Sequence, residues 1–176
     1  MTVISAIACV LGTWVHLPGM VLAGVTVNWP VIWMVAWSVN RPAWQGAIAG
    51  VALGLVQDGL THAQPTHALS LALVGFLTAR LHKERFVRED FVSVALIAFG
   101  MTAIAETVMA LQWTLLLMGQ QTSQMFWRSL GGIWHNYRSI TLSSAILSSL
   151  WTPALSIPLN WVWQKEFETQ FRPPPK

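Results

Sequence analysis

Charge is what this chain has least of. Its 176 residues include ten Lys and Arg and seven Asp and Glu, 10% in all, where a soluble domain carries about 25%. Met1 to Asn40 contains none, and further charge-free gaps run 42–57, 59–79, 91–105, 107–127 and 139–164. This excludes a soluble enzyme domain, and the high apolar content excludes a disordered tail. Cysteine is limited to Cys9, which excludes an internal disulfide framework. No Lys or Arg precedes Ala6-Ile7-Ala8-Cys9, and the apolar stretch before it is too short for a signal peptide, so the N-terminus reads as an uncleaved first span. The net charge of +3 comes from scattered basic residues that form no continuous stripe, which excludes a nucleic-acid partner.

What is present is apolar: 54% of residues are hydrophobic and mean hydropathy is +0.52. A bilayer crossing needs about 20 such residues at 1.5 Å rise each. Gaps in charge, together with Pro, Gly and polar punctuation, predict an all-α integral membrane protein of six spans, about 2–17, 28–40, 42–60, 65–82, 90–118 and 140–163. Five spans with an external N-terminus is the other count. An apolar connector is expected at 18–27, a tight link at Thr61 to Gln64, and a polar and aromatic connector from Gly119 to Ser139. Residues 1–163 then form one polytopic domain and 164–176 an extended cytoplasmic tail ending in three prolines.

Basic residues orient this arrangement, because cytoplasmic loops are enriched in Lys and Arg. With both termini inside, Arg41, Arg80, Lys83, Arg85, Arg88, Lys165, Arg172 and Lys176 are cytoplasmic, and only Arg128 and Arg138 are external.

Gly46, Gly50, Gly54 and Asp58 recur every four residues and so lie near one helix face. Glycine there lets another backbone approach closely, which is how helices associate in lipid. The next span offers a matching strip in Ala68, Ala72, Gly75 and Ala79, and spans three and four therefore read as a close-packed antiparallel hairpin. No strand precedes these glycines, so a phosphate loop is not indicated.

Asp58 falls at a helix C-terminus, where a carboxylate opposes the helix dipole and needs a partner. The free N–H groups at the start of span four, near Gln64-Pro65-Thr66, can receive it, and His62 and His67 are further partners. A structural latch, a ligand site and a metal site of Asp58, His62 and His67 stand in that order, the last matching no established zinc spacing.

Glu106 interrupts a long apolar helix, where a charge costs about 2.5–3.5 kcal/mol on insertion scales, so it should face the bundle. Ser144, Ser148, Thr152 and Ser156 form a hydroxyl stripe available to it, for close packing or as the wall of a substrate pocket. An Asp58–Glu106 pair would suit an intramembrane enzyme, but no H-E-x-x-H or serine nucleophile motif accompanies it, and no catalytic residues are assigned.

Of the eleven tryptophans, Trp14, Trp44, Trp113, Trp161 and Trp163 fall at span ends, where indoles favour the headgroup level. Trp29, Trp33 and Trp37 make a stripe along span two, a broad aromatic face expected to meet lipid first and another helix or partner second. Met125, Phe126, Leu130, Ile133 and Trp134 give the external connector an apolar side that would lie along the interface.

The segments Arg41-Pro42-x-Trp44-x-Gly46, Gly50-x3-Gly54-Leu55-x2-Asp58, Thr66-His67-Ala68-Leu69 and Gly75-Phe76-Leu77, with the basic turn Lys83 to Arg88, resemble the bacterial rod shape-determining protein MreD family. Residues 41–82 carry the resemblance, and Thr66 stands where that family often has a small residue. The resemblance implies a non-enzymatic subunit of the cell-elongation machinery in the cytoplasmic membrane, without cofactors. Its implied partners are the periplasmic shape protein MreC, the actin-like MreB, and the polymerase and transpeptidase that build peptidoglycan. The family is similar in fold to the substrate-binding subunits of energy-coupling vitamin transporters, which supplies the alternative function. Those subunits often carry an Ala-x3-Ala docking motif in their first span; here Ala6 is followed by Val10.

Overall fold

The computed structural model describes residues 2–13, 21–22, 25–39, 41–61, 65–83, 91–118 and 123–170. The architecture is a helical bundle: α1 (Thr2–Gly12), α2 (Trp29–Ser38), α3 (Ala43–Thr61), α4 (His67–Lys83), α5 (Phe91–Met118) and α6 (Ser123–Gln170). The apolar connector before α2 contains a small antiparallel hairpin, β1 (Val21–Leu22) on β2 (Val25–Thr26), with Val21 opposite Thr26. Among the described residues, one helical stretch is both long and apolar enough to cross a bilayer, Ser93–Met118, with 26 residues and a mean hydropathy of 2.0. At 1.5 Å per residue it reaches about 39 Å, against about 30 Å of hydrocarbon.

The helices pack as two antiparallel pairs, α3 with α4 and α5 with α6, around the short α2. Asn28 starts α2 by accepting the Val31 N–H at 3.4 Å, and Pro30 sits in the first turn, where its missing N–H costs nothing. From there α2 touches all five other helices, and Pro30 through Ala36 are buried. This corrects the expected exposure of the tryptophan stripe to lipid. Trp33 is only 4% exposed, stacks on Trp37 with ring centroids 5.7 Å apart, and donates its indole N–H to Ser5 at 3.0 Å. Trp29 leans on Trp151, and Arg41 lies over the Trp37 ring. Of the stripe, Trp33 and Trp37 still edge an apolar groove shared with α1 and α3.

A second correction concerns the last helix. The segment expected as a connector up to Ser139 is helical from Ser123 onward, and α6 runs unbroken over 48 residues to Gln170, beyond the predicted end of span six. The Gly131-Gly132 pair lowers helix propensity but leaves the hydrogen-bond ladder intact, and prolines 153 and 158 lie within the helix as prolines in long apolar helices can. The part of α6 beside α5 includes Tyr137, whose hydroxyl is 2.6 Å from that of Thr107. Thr107 already donates to the Ala103 carbonyl, so Tyr137 is the donor. The expected tail is helical as far as Gln170.

The outer surface of the bundle is apolar where that of a water-soluble protein is polar. Large apolar side chains point outward from every helix except α2, among them Ile4, Ile48, Leu55, Leu69, Leu96, Leu115 and Leu150. The interior joins an apolar core, Val10, Met34, Leu71, Val74 and Met101 among it, with the hydroxyls of Ser38, Ser70, Thr78, Thr102, Ser144, Ser148 and Thr152. Trp44, Trp113 and Trp134 are among the exposed side chains. The predicted end of span one near Leu17, Trp14, His62 and Arg85 to Arg88 lie outside the described residues, as do the side chains of Met125, Phe126, Ser156, Trp161 and Trp163.

Candidate functional site

The site begins with the α3–α4 hairpin. A Cβ added to Gly46 would fall on the Gly75 carbonyl, one on Gly50 on the Leu71 carbonyl, and one on Gly54 on the Ala68 backbone. Ala79 lies against Gly46 and Ala72 against Gly50, so the small residues of each helix form one face pressed on the other backbone. This fixes the register at the hairpin's closed end, where Asp58 and the start of α4 meet.

There the Asp58 carboxylate takes over the role of a helix cap. It accepts the His67 backbone N–H at 2.9 Å and 3.1 Å on its two oxygens, the Thr66 hydroxyl at 2.5 Å, and faces His67 Nδ1 at 2.6 Å. The Thr66 oxygen in turn accepts the Ala68 N–H at 3.1 Å. Otherwise orphaned amides of α4 are thereby satisfied, and the negative charge sits at the positive end of the helix dipole. Since His67 Nδ1 faces a carboxylate, the ring places its proton there, and Nε2 is left for a further partner.

His67 also lines a cavity of about 240 Å³ walled by residues of α2 to α6, by Thr13 just past the end of α1 and by the segment leading into α2. Its polar wall comprises Thr13, Asn28, Gln57, His67, Ser70, Glu106 and Ser144; the rest is Val27, Val31, Leu71, Ala105 and Met109. Asn28 Nδ2 donates to Glu106 Oε1 at 3.3 Å, and Ser144 stands beside the same carboxylate. The Asn28 N–H is bonded to Ser148 at 3.2 Å, which anchors the entry of α2 to the hydroxyl stripe of α6. The Gln57 carbonyl oxygen is buried with no hydrogen-bond partner.

Glu106 thus faces the bundle, at the level where α1 and α3 end and α2 and α4 begin. Asp58 and Glu106 are not paired with each other; His67 contacts the first and shares the cavity with the second. No three His, Cys, Asp or Glu side chains gather as a metal set among the described residues, and His62 is not among those. Asn28 and Gln57 escape a reading of the sequence for charged residues and repeats, although Asn28 before Trp29-Pro30 carries a helix-start signature. Comparison with protein-family models, curated proteins and solved structures returns no match.

Proposed function

We propose that the chain is a non-enzymatic, multi-pass subunit of the bacterial cell-elongation machinery in the cytoplasmic membrane, of the MreD kind. It acts by binding the periplasmic shape protein MreC and, through it, the actin-like MreB and the peptidoglycan polymerase and transpeptidase. In this reading six helices cross or enter the bilayer and both termini are cytoplasmic. The apolar outer surface supports the membrane assignment, because outward Ile, Leu and Trp suit lipid, while the buried hydroxyls suit close helix packing. The observation that carries the family reading is a coincidence of place. Residues 41–82, which hold the resemblance, are also the closest-packed unit of the fold, with Gly46, Gly50 and Gly54 on the backbone of α4 and Asp58 capping it. A scaffold subunit needs such a rigid element, and nothing in its role needs a nucleophile.

Purification of the tagged protein from its native membrane in mild detergent tests this. The expected result is co-elution of MreC and the elongation polymerase. Co-elution of an ATPase module with a bound vitamin would replace the scaffold reading with the vitamin-transporter alternative.

A further inference from the structure

We propose that the cavity beside Glu106 binds the primary ammonium group of a small amphipathic amine. The argument rests on which hydrogen-bonding roles its wall leaves open. Thr13 spends its hydroxyl proton on the Val10 carbonyl at 2.6 Å, and Ser70 spends its own on the His67 carbonyl at 2.9 Å. Both present oxygen lone pairs to the remaining space. Gln57 adds a buried carbonyl oxygen without a partner, and Glu106 adds a carboxylate whose bond from Asn28, at 3.3 Å, is long for a charged acceptor. The wall contains no Lys or Arg, and its donors are already committed, Asn28 Nδ2 and the Ser144 hydroxyl to Glu106 and His67 Nδ1 to Asp58. A cavity of acceptors around one buried carboxylate, with no cation of its own, calls for a ligand that is positively charged and only donates.

An ammonium has three donors and no acceptor. The opposite wall, Val27, Val31, Leu71, Ala105 and Met109, suits a short hydrocarbon attached to it. The volume of about 240 Å³ is below the roughly 300–1,000 Å³ of sites for drug-sized ligands. This chemistry has two sources, a free alkylamine or the headgroup of an ethanolamine lipid. The inference goes beyond the elongation role and is tested without any partner protein.

The test uses the full-length protein in detergent, titrated calorimetrically with hexylamine and with hexyltrimethylammonium, which has equal charge but no N–H. Hexylamine should bind at least tenfold more tightly, and Glu106→Gln should weaken it at least tenfold. Gln57→Leu should weaken it severalfold, serving as a second variant should the first fold poorly. If the lipid is the source, native mass spectrometry from nanodiscs should show retained phosphatidylethanolamine but no phosphatidylcholine, with retention lost in Glu106→Gln. Equal affinity for the two cations, indifference to Glu106→Gln, or binding of neither amine nor ethanolamine lipid would overturn the proposal.

Discussion

Gly46 and Gly75 oppose each other across the α3–α4 interface so closely that a Cβ on either would collide with the carbonyl of the other. Neither neighbour is a flexible side-chain tip, so relief requires the two helices to separate. Gly46→Ala and Gly75→Ala should each destabilise the protein by about 1–3 kcal/mol, as overpacking does, and Gly54→Leu should fail to accumulate. Gly100 supplies the control, since open space surrounds it and alanine is the better helix former by about 1 kcal/mol. Thermal unfolding in detergent should therefore rise slightly for Gly100→Ala. Normal expression and stability of Gly54→Leu would refute the close-packing account.

Asp58 offers two acceptor oxygens to four contacts, and its variants should separate accordingly. Asp58→Ala removes the cap of α4 and should cost about 0.5–2 kcal/mol. Asp58→Asn keeps one acceptor oxygen and should fall between Ala and the parent. The readout is thermal stability of the purified protein. Unchanged stability in both variants, with loss of MreC alone, would make Asp58 an interface residue.

Tyr137 ties α6 to α5 through the hydroxyl of Thr107. Tyr137→Phe deletes only the donor and should cost about 0.5–1.5 kcal/mol, the usual net worth of one hydrogen bond. Thr107→Val in the Phe background should add less than it does alone. A full additive loss in this double-mutant cycle would show that the two hydroxyls do not interact.

The proposed orientation rests on the basic residues, eight of ten of which the six-span reading assigns inside. After replacement of Cys9, single cysteines at Thr2, Gln124 and Lys176 should respond differently to an impermeant thiol reagent added to intact spheroplasts. Only position 124 should label. External labelling at position 2 would favour five spans over six.

The hairpin was legible in the chain because its signal is local: glycines at four-residue steps share a helix face whatever surrounds them, and the alanines that receive them follow within one turn of chain. The tryptophan stripe was not. A helix apolar on all sides has the same composition whether lipid or protein covers it, and only the neighbours contributed by the other helices, Ser5 of α1 among them, put Trp33 inside. The continuity of α6 was hidden for a different reason. Gly131, Gly132 and their polar neighbours resemble a connector, yet a few tenths to one kcal/mol of propensity per residue does not break a helix that Tyr137, one to two turns on, ties to α5. The cavity lay furthest from view, since Asn28, Gln57 and Glu106 come from three separate stretches and meet only in the folded chain.

The central position of α2 constrains the order in which the molecule is made. Residues 29–38 leave the ribosome before any of α3 to α6 exists, because synthesis runs from the N-terminus. Until then the helix has only α1 beside it, and Asn28 lacks both Ser148 and Glu106. A polar group without partners is costly in hydrocarbon. In the proposed membrane arrangement the segment therefore waits, sheltered by the insertion machinery or held near the membrane surface, until more than a hundred later residues arrive to enclose it. Assembly ends with α6 closing over the helix that was synthesised second, so a chain truncated before Ser144 retains most of its apolar sequence but loses the groups that complete its centre.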